Sequence, residues 1–143
     1  MSLFALLQQI LIGSLMIVAT VVIEACFIAI AVATLEKHGP RLRQLSLVRG
    51  TILMLSGLSL WLLAAISLAL WLWAGMFVVL GEFTDLGQAI YFASVSATTL
   101  GYGDVVLSER WQLLSGFIAA NGLVLFSLNT AFLFEALRRI SDR

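Results

Sequence analysis

Three long apolar runs constrain this chain more than any other feature. They cover Leu3–Leu35, Thr51–Leu80 and Leu113–Leu137, and each is longer than the roughly 20 residues that a helix needs to cross a bilayer. The 143-residue chain is 62% hydrophobic, whereas soluble domains are typically about half apolar. We therefore expect an all-α membrane protein with three transmembrane helices.

Basic residues at the ends of these runs predict how the chain crosses the membrane. Four lie between the first two runs and three follow the third, namely Lys37, Arg41, Arg43, Arg49, Arg138, Arg139 and Arg143. The positive-inside rule places both groups in the cytoplasm. We therefore expect a multi-pass protein of the cell membrane with its N-terminus outside and its C-terminus inside. The acidic residues Glu82, Asp85 and Glu109 then lie outside and are expected to be solvated loop charges.

The first run is expected to stay in the mature protein as a membrane helix. It lacks the basic start of a signal peptide and is much longer than the apolar core of one. The only cysteine, Cys26, excludes an internal disulfide and belongs to no metal-ligand cluster. We expect no enzyme activity, no cofactor and no nucleic-acid partner, and we expect the lipid bilayer as the main surroundings.

A shorter apolar stretch lies between the second and third runs. Asp85 precedes it and Gln88 follows three residues later, a pattern typical of a capped helix start. The stretch Leu86–Ala97 makes only about 18 Å of helix, too short to span a bilayer. It is therefore predicted to be a re-entrant helix, whose C-terminal dipole end points toward the membrane centre and favours a cation there.

Gly39 and Pro40 are predicted to end the first helix, because glycine suits the position after a helix and proline cannot continue the hydrogen-bond ladder. A short helix on the inner membrane surface over Arg41–Arg49, or a solvated loop, follows. The predicted division of the chain is an extra N-terminal helix (1–35), a basic cytoplasmic loop (36–50), an outer helix (51–80), the re-entrant helix (86–97), a loop (98–104), an inner helix (111–137) and a tail (138–143).

The loop carries the sequence Thr98-Thr99-Leu100-Gly101-Tyr102-Gly103-Asp104. Irregular backbone at membrane depth is tolerated only where protein buries it or where it lines a water-filled cavity. Glycines spaced by two allow alternate residues to adopt left-handed conformations. Such a backbone aims successive carbonyl groups at one axis, where they can replace the water shell of an ion.

This loop resembles the selectivity filter of the potassium-channel family, which reads TVGYG in a typical member. Together with the re-entrant helix and the two flanking runs, the resemblance covers about Thr51–Leu137, the two-span pore module of that family. It implies an ion channel that passes potassium, with one extra N-terminal transmembrane helix. Potassium is expected at Thr99, Leu100, Gly101 and Tyr102, with Gly103 completing the filter.

One such loop cannot encircle an ion, so a ring of chains is required, and the resemblance implies a homotetramer with the filter on its axis. In the family the filter tyrosine is held by aromatic residues of the pore helix. Tyr102 is therefore expected to face Tyr91 and Phe92. Thr98 and Asp104 flank the filter as supporting residues.

Three residues depart from the family pattern. Leu100 stands where valine is usual, Phe92 stands where many members carry tryptophan, and Val95 stands where some members carry a carboxylate paired to the filter aspartate. Asp104 is therefore expected to be held more loosely or by water. These departures leave open a weakly selective monovalent cation channel.

The inner helix contains Gly116 and Gly122. Since glycine weakens a helix and has no side chain, the helix can flex at these positions or pack closely against a neighbour. Gly122 is the candidate gating hinge, with close packing as the alternative. Polar residues on this helix spread around it, so they cannot all line one cavity.

The first helix carries Ala25, Ala29 and Ala33 at four-residue spacing, which predicts a face where helices approach closely. This face also leaves open a non-conducting membrane adaptor that binds a partner. Glu24 is the one ionisable residue deep in a run, and such residues are functional candidates by default. It is expected either to sense protons or cations, or to hydrogen-bond Thr51, Ser56 or Ser59 of the second helix.

Overall fold

A computed structural model describes residues 3–42 and 47–141 of the chain, and within those ranges every regular element is a helix. The four helices are α1 (Leu3–Leu42), α2 (Leu47–Val79), α3 (Leu86–Ala97) and α4 (Leu113–Ser141). Three of them are long and apolar enough to cross a membrane, over Leu3–Lys37, Val48–Val79 and Leu113–Arg138. The prediction of an all-α protein with three membrane helices is confirmed.

The helix boundaries between α1 and α2 differ from the prediction. The basic segment 36–50 was expected to be a loop, but α1 continues through Gly39 and Pro40 to Leu42, and α2 begins at Leu47. Pro40 lies two residues before the helix end, so little of the hydrogen-bond ladder follows the position that it interrupts. The predicted surface helix 41–49 is not a separate element where the chain is described, and residues 43–46 of it lie outside the described residues. At the other end, α4 runs four residues into the predicted tail.

The short helix α3 has the bounds that its capping residues predict, and it lies between α2 and α4. Its buried face consists of Ala89, Phe92, Ala93 and Ala97. This face packs on Trp73 and Phe77 of α2 and on Leu114 and Ile118 of α4, which are all fully buried. The Phe77 ring meets the Phe92 ring edge-on, with centroids 5.3 Å apart. Burial of each large side chain contributes roughly 1.5–3 kcal/mol, so α3 is fixed firmly against the two long helices.

The helix α1 packs on α2 and α4 through a polar face. Gln9, Thr20 and Glu24 are fully buried there, while Ala25, Ala29 and Ala33 are exposed. The prediction that the alanine face makes the contact is therefore wrong. A polar side chain facing lipid would lack a hydrogen-bond partner, so Gln9, Thr20 and Glu24, and not these three alanines, determine which face turns inward.

Specific hydrogen bonds join this polar face to α4. The Thr20 hydroxyl donates to Asn121 Oδ1 at 3.0 Å. Gln9 Oε1 accepts from the backbone N–H of Leu113 at 3.1 Å, which satisfies a free amide at the start of α4. Gly13 lies against the Phe117 ring so closely that a Cβ atom there would overlap it. The extra N-terminal helix is therefore an integral part of the helical bundle.

Candidate functional site

The candidate site begins with a well-defined helix start. Asp85 has an extended backbone, and its carboxylate accepts from the N–H of Gln88 at 2.8 Å. This is the N-cap that the sequence predicts, because aspartate satisfies one of the free amides of the first turn. Asp85 therefore orients α3, rather than being a solvated loop charge.

The chain folds back on itself where α3 ends. The Thr98 hydroxyl donates to the Ser94 carbonyl at 2.8 Å, and the Leu100 and Gly101 amides both donate to the Val95 carbonyl, at 3.0 and 3.2 Å. A trans peptide places its N–H and C=O on opposite sides. Because the two amides point at Val95, the carbonyls of the same peptide units, those of Thr99 and Leu100, point together away from α3.

The GYG loop (Thr98–Asp104) has a left-handed backbone at every second residue. The φ angles are 59° at Thr99, 53° at Gly101 and 76° at Gly103. The left-handed conformation of the two glycines confirms the prediction made from their spacing. The left-handed conformation of Thr99 was not predicted, because a residue with a Cβ pays a steric cost of roughly 1–2 kcal/mol there. Strain of this kind at a non-glycine residue is concentrated at functional sites.

The carbonyl oxygens of residues 99–103 are free acceptors in the single chain. Among the hydrogen bonds of the described residues, none ends on these oxygens. The side chains of the same segment are exposed, with Tyr102 68% and Leu100 55% accessible. A row of free carbonyl oxygens on an anchored backbone can replace water molecules around a cation.

The far end of the GYG loop is held by a side-chain hydrogen bond. The Tyr91 hydroxyl donates to Asp104 Oδ2 at 2.7 Å. The prediction that Asp104 is held loosely is therefore wrong, because a phenol from α3 supplies the donor that the carboxylate needs. This hydrogen bond to Asp104 raises the pKa of Tyr91, because the carboxylate accepts the proton of the neutral phenol and so stabilises that form.

Phe92 does not take the expected place beside Tyr102. Its ring is buried between Phe77 and Phe83, at centroid distances of 5.3 and 5.5 Å. Because Phe92 and Tyr91 are adjacent on α3, they face in different directions, and Phe92 serves the packing of α3 on α2. Val95 is half-buried and holds the GYG loop through its backbone carbonyl group. The identity of its side chain does not predict this role.

A second anchor lies on the side of the GYG loop that leads to α4. The Glu82 carboxylate accepts from both the backbone N–H and the hydroxyl of Ser108, each at 2.7 Å. The sequence predicts only a solvated charge at Glu82. It does not reveal these two hydrogen bonds, since Glu82 and Ser108 are 26 positions apart. The two hydrogen bonds fix the segment after the loop to the end of α2.

Gly122 of α4 lies in backbone contact with the C-terminal end of α3. A Cβ atom at Gly122 would overlap the carbonyl group of Ala97. Glycine is therefore required there for close packing, the alternative that the sequence left open. A role as a gating hinge stays a prediction. Gly116 lies on a different face of α4, and a Cβ atom built there meets nothing within 4 Å.

Glu24 faces α4 rather than α2. Its carboxyl group is fully buried beside the Asn129 side chain, and neither group completes a hydrogen bond among the described residues. Because neither Glu24 oxygen has a hydrogen-bond partner among the described residues, the prediction that Glu24 bonds Thr51, Ser56 or Ser59 is wrong. The described residues contain no cluster of three potential metal ligands, and Glu24 is therefore not part of one.

Comparison with known proteins identifies one family. A family described as "Ion channel" matches residues 65–139, which are 75 of the 143 residues of the chain. The match includes all of α3 and the GYG loop, most of α4 and the second half of α2. No curated protein and no solved structure matches the chain.

Proposed function

Because the chain belongs to the ion channel family, we propose that it forms a potassium channel with the GYG loop as its selectivity filter. The backbone carbonyls of Thr99, Leu100, Gly101 and Tyr102, with the Thr99 hydroxyl, replace the hydration shell of the permeating ion. Gly103 completes the filter, and Asp104, Tyr91 and Thr98 hold it in place.

One observation carries this proposal. The backbone alternates between conformations at Thr99, Gly101 and Gly103, while two amides inside the alternation are tied to one carbonyl of α3. The carbonyls on the other side of those peptides have no hydrogen-bond partner among the described residues. An ion can then exchange water for protein oxygens without a rearrangement of the loop, which is what rapid and selective passage requires.

We propose that four copies surround the filter axis. One chain offers carbonyls on a single side of an ion, and a closed ring of identical chains is the usual way to complete such a site. The exposed filter side chains and the exposed apolar residues of α4, among them Leu123, Phe126 and Phe134, are available for contacts between copies. In this arrangement the N-terminus is outside the cell membrane and the C-terminus inside, as the basic residues favour.

Reversal potentials of the purified protein in planar bilayers test the proposal. Under opposing potassium and sodium gradients, we expect a potential close to that of potassium. Gly101→Ala should abolish the current, because alanine is strained at a φ of 53°. Gly116→Ala is the matched control, since its new methyl group meets open space. Equal permeability to both ions would refute potassium selectivity.

A weakly selective monovalent cation channel is the second candidate, favoured by Leu100. Its side chain is larger than the usual valine and is 55% exposed on the single chain, so it must be accommodated by a neighbouring copy. If this candidate holds, Leu100→Val sharpens the preference for potassium. A purified protein that assembles but carries no current with either residue would instead support the adaptor.

A further inference from the structure

A groove of about 350 Å³ runs between α1 and α2. Its floor is formed by Ala31, Met54 and Leu58, which are buried against Ala136 of α4. Its rims are Ile30 and Leu53, whose side chains are exposed. The groove therefore opens away from α4, toward the outside of the helical bundle.

Trp61 closes one end of the groove and is itself fixed. Its indole N–H donates to the Phe27 carbonyl at 2.9 Å, and its ring lies 4.8 Å from the Phe27 ring. From Trp61 to Leu53 the groove follows eight residues of α2, about 12 Å of helix. This length is comparable to one leaflet of the hydrocarbon core, about half of its roughly 30 Å.

Gly57 keeps the middle of the groove open. It lines the groove, and a Cβ atom built there meets nothing within 4 Å. The glycine lies inside a long helix where nothing in its surroundings requires it, although glycine weakens a helix relative to alanine. Its effect on the structure is to leave space for another molecule.

Basic side chains lie one helical turn beyond the open end. Lys37 follows the groove residue Thr34 on α1, and Arg49 precedes Leu53 on α2; both charged side chains are exposed. Glu36 is the only acidic residue among the described side chains at the ends of these two helices, so the group has a net charge of +1. Glu135 and Arg138 lie at the corresponding end of α4 and balance each other in charge.

We propose that this groove binds an anionic phospholipid, with an acyl chain between α1 and α2 and its phosphate at Lys37 and Arg49. The walls are apolar and lie within two helices able to span a membrane, where lipid chains are the surrounding solvent. Burial of acyl methylenes between the helices favours such binding, and each nearby basic residue adds attraction for an anionic head group. The bound lipid holds α1 to α2, independently of whether the protein conducts ions.

Native mass spectrometry of the full chain tests this site, with phosphatidylglycerol and phosphatidylcholine of identical acyl chains as probes. We expect at least about tenfold preferential retention of phosphatidylglycerol. Gly57→Leu, which fills the groove, should weaken that retention by at least about tenfold. Gly75→Leu is the matched control on the same helix, since a Cβ atom built there also meets nothing within 4 Å and Gly75 does not line the groove.

The charge contribution is tested separately with Lys37→Gln combined with Arg49→Gln. We expect this variant to bind both lipids equally, at the level of phosphatidylcholine on the unmodified protein. The proposal is overturned if Gly57→Leu retains phosphatidylglycerol like the unmodified protein, or if the unmodified protein binds both lipids equally. A change in the number of chains per particle in Gly57→Leu, with Gly75→Leu unchanged, would also overturn it, because a second copy would then be the occupant.

Discussion

The Tyr91 hydroxyl donates a 2.7 Å hydrogen bond to the Asp104 carboxylate, and it does so from the same face of α3 that holds the start of the GYG loop. Tyr91 and Val95 are four residues apart, so they lie one above the other on the helix. Val95 binds the loop through its carbonyl and Tyr91 through its side chain. One turn of α3 therefore fixes both ends of the segment that we propose to conduct ions.

Replacing Tyr91 with phenylalanine is expected to shorten the time for which the channel conducts. The ring remains, but Asp104 loses its donor and the end of the loop becomes free to rearrange. We expect a current that starts normally and then decays several-fold faster than in the unmodified protein, measured in bilayers at constant voltage. Asp104→Ala should have the same effect. The double variant should be no worse than either single variant, because all three remove the same hydrogen bond between Tyr91 and Asp104. Additive effects would contradict the proposed pairing.

The sequence was informative where the determinants of structure are local. The bounds of α3 follow from a capping residue and from a stretch too short to span the membrane, and the left-handed glycines follow from their spacing. Each of these signals lies within a few residues of the feature that it predicts.

The sequence was misleading where a residue finds its partner on another element of the structure. The lack of a carboxylate at position 95 predicts that Asp104 is held loosely, whereas the Tyr91 phenol, one turn earlier on α3, donates to Asp104. The inward face of α1 was assigned to its alanines, yet Thr20 finds Asn121 some hundred residues away. Such pairings depend on how helices pack, which a single sequence does not contain.

Gly122→Ala is expected to destabilise the protein, because the new methyl group meets the Ala97 backbone. Overpacking of a tight contact typically costs about 1–3 kcal/mol. We expect a lower thermal midpoint and fewer assembled particles by size-exclusion chromatography. Gly116→Ala gains a methyl group on the same helix without a clash and should be at least as stable. If Gly122→Ala keeps normal stability but alters channel opening while Gly116→Ala does not, Gly122 acts as a hinge instead.

Glu82→Gln is expected to loosen the segment that follows the GYG loop. The carboxylate accepts two hydrogen bonds from Ser108, and an amide group can accept on only one of its two atoms. Hydrogen exchange should therefore become faster at the Ser108 amide, with little change in the buried face of α3. Ser108→Ala removes only the hydroxyl and should give a smaller increase at neighbouring amides. An unchanged exchange rate in Glu82→Gln would show that the hydrogen bonds between Glu82 and Ser108 do not hold the segment after the GYG loop.

Replacing the buried pair Glu24 and Asn129 with leucines is expected to stabilise the protein. Both side chains are buried without completing a hydrogen bond among the described residues, and replacing both partners of such a pair with apolar groups of similar shape can be neutral or stabilising. The double variant should have a thermal midpoint at or above that of the unmodified protein. Glu24→Gln, which preserves shape without an ionisable group, should conduct in the same way from pH 5 to pH 8. A current that varies with pH in the unmodified protein and becomes constant in Glu24→Gln would make Glu24 a proton sensor, and its burial beside Asn129 would then serve gating rather than packing.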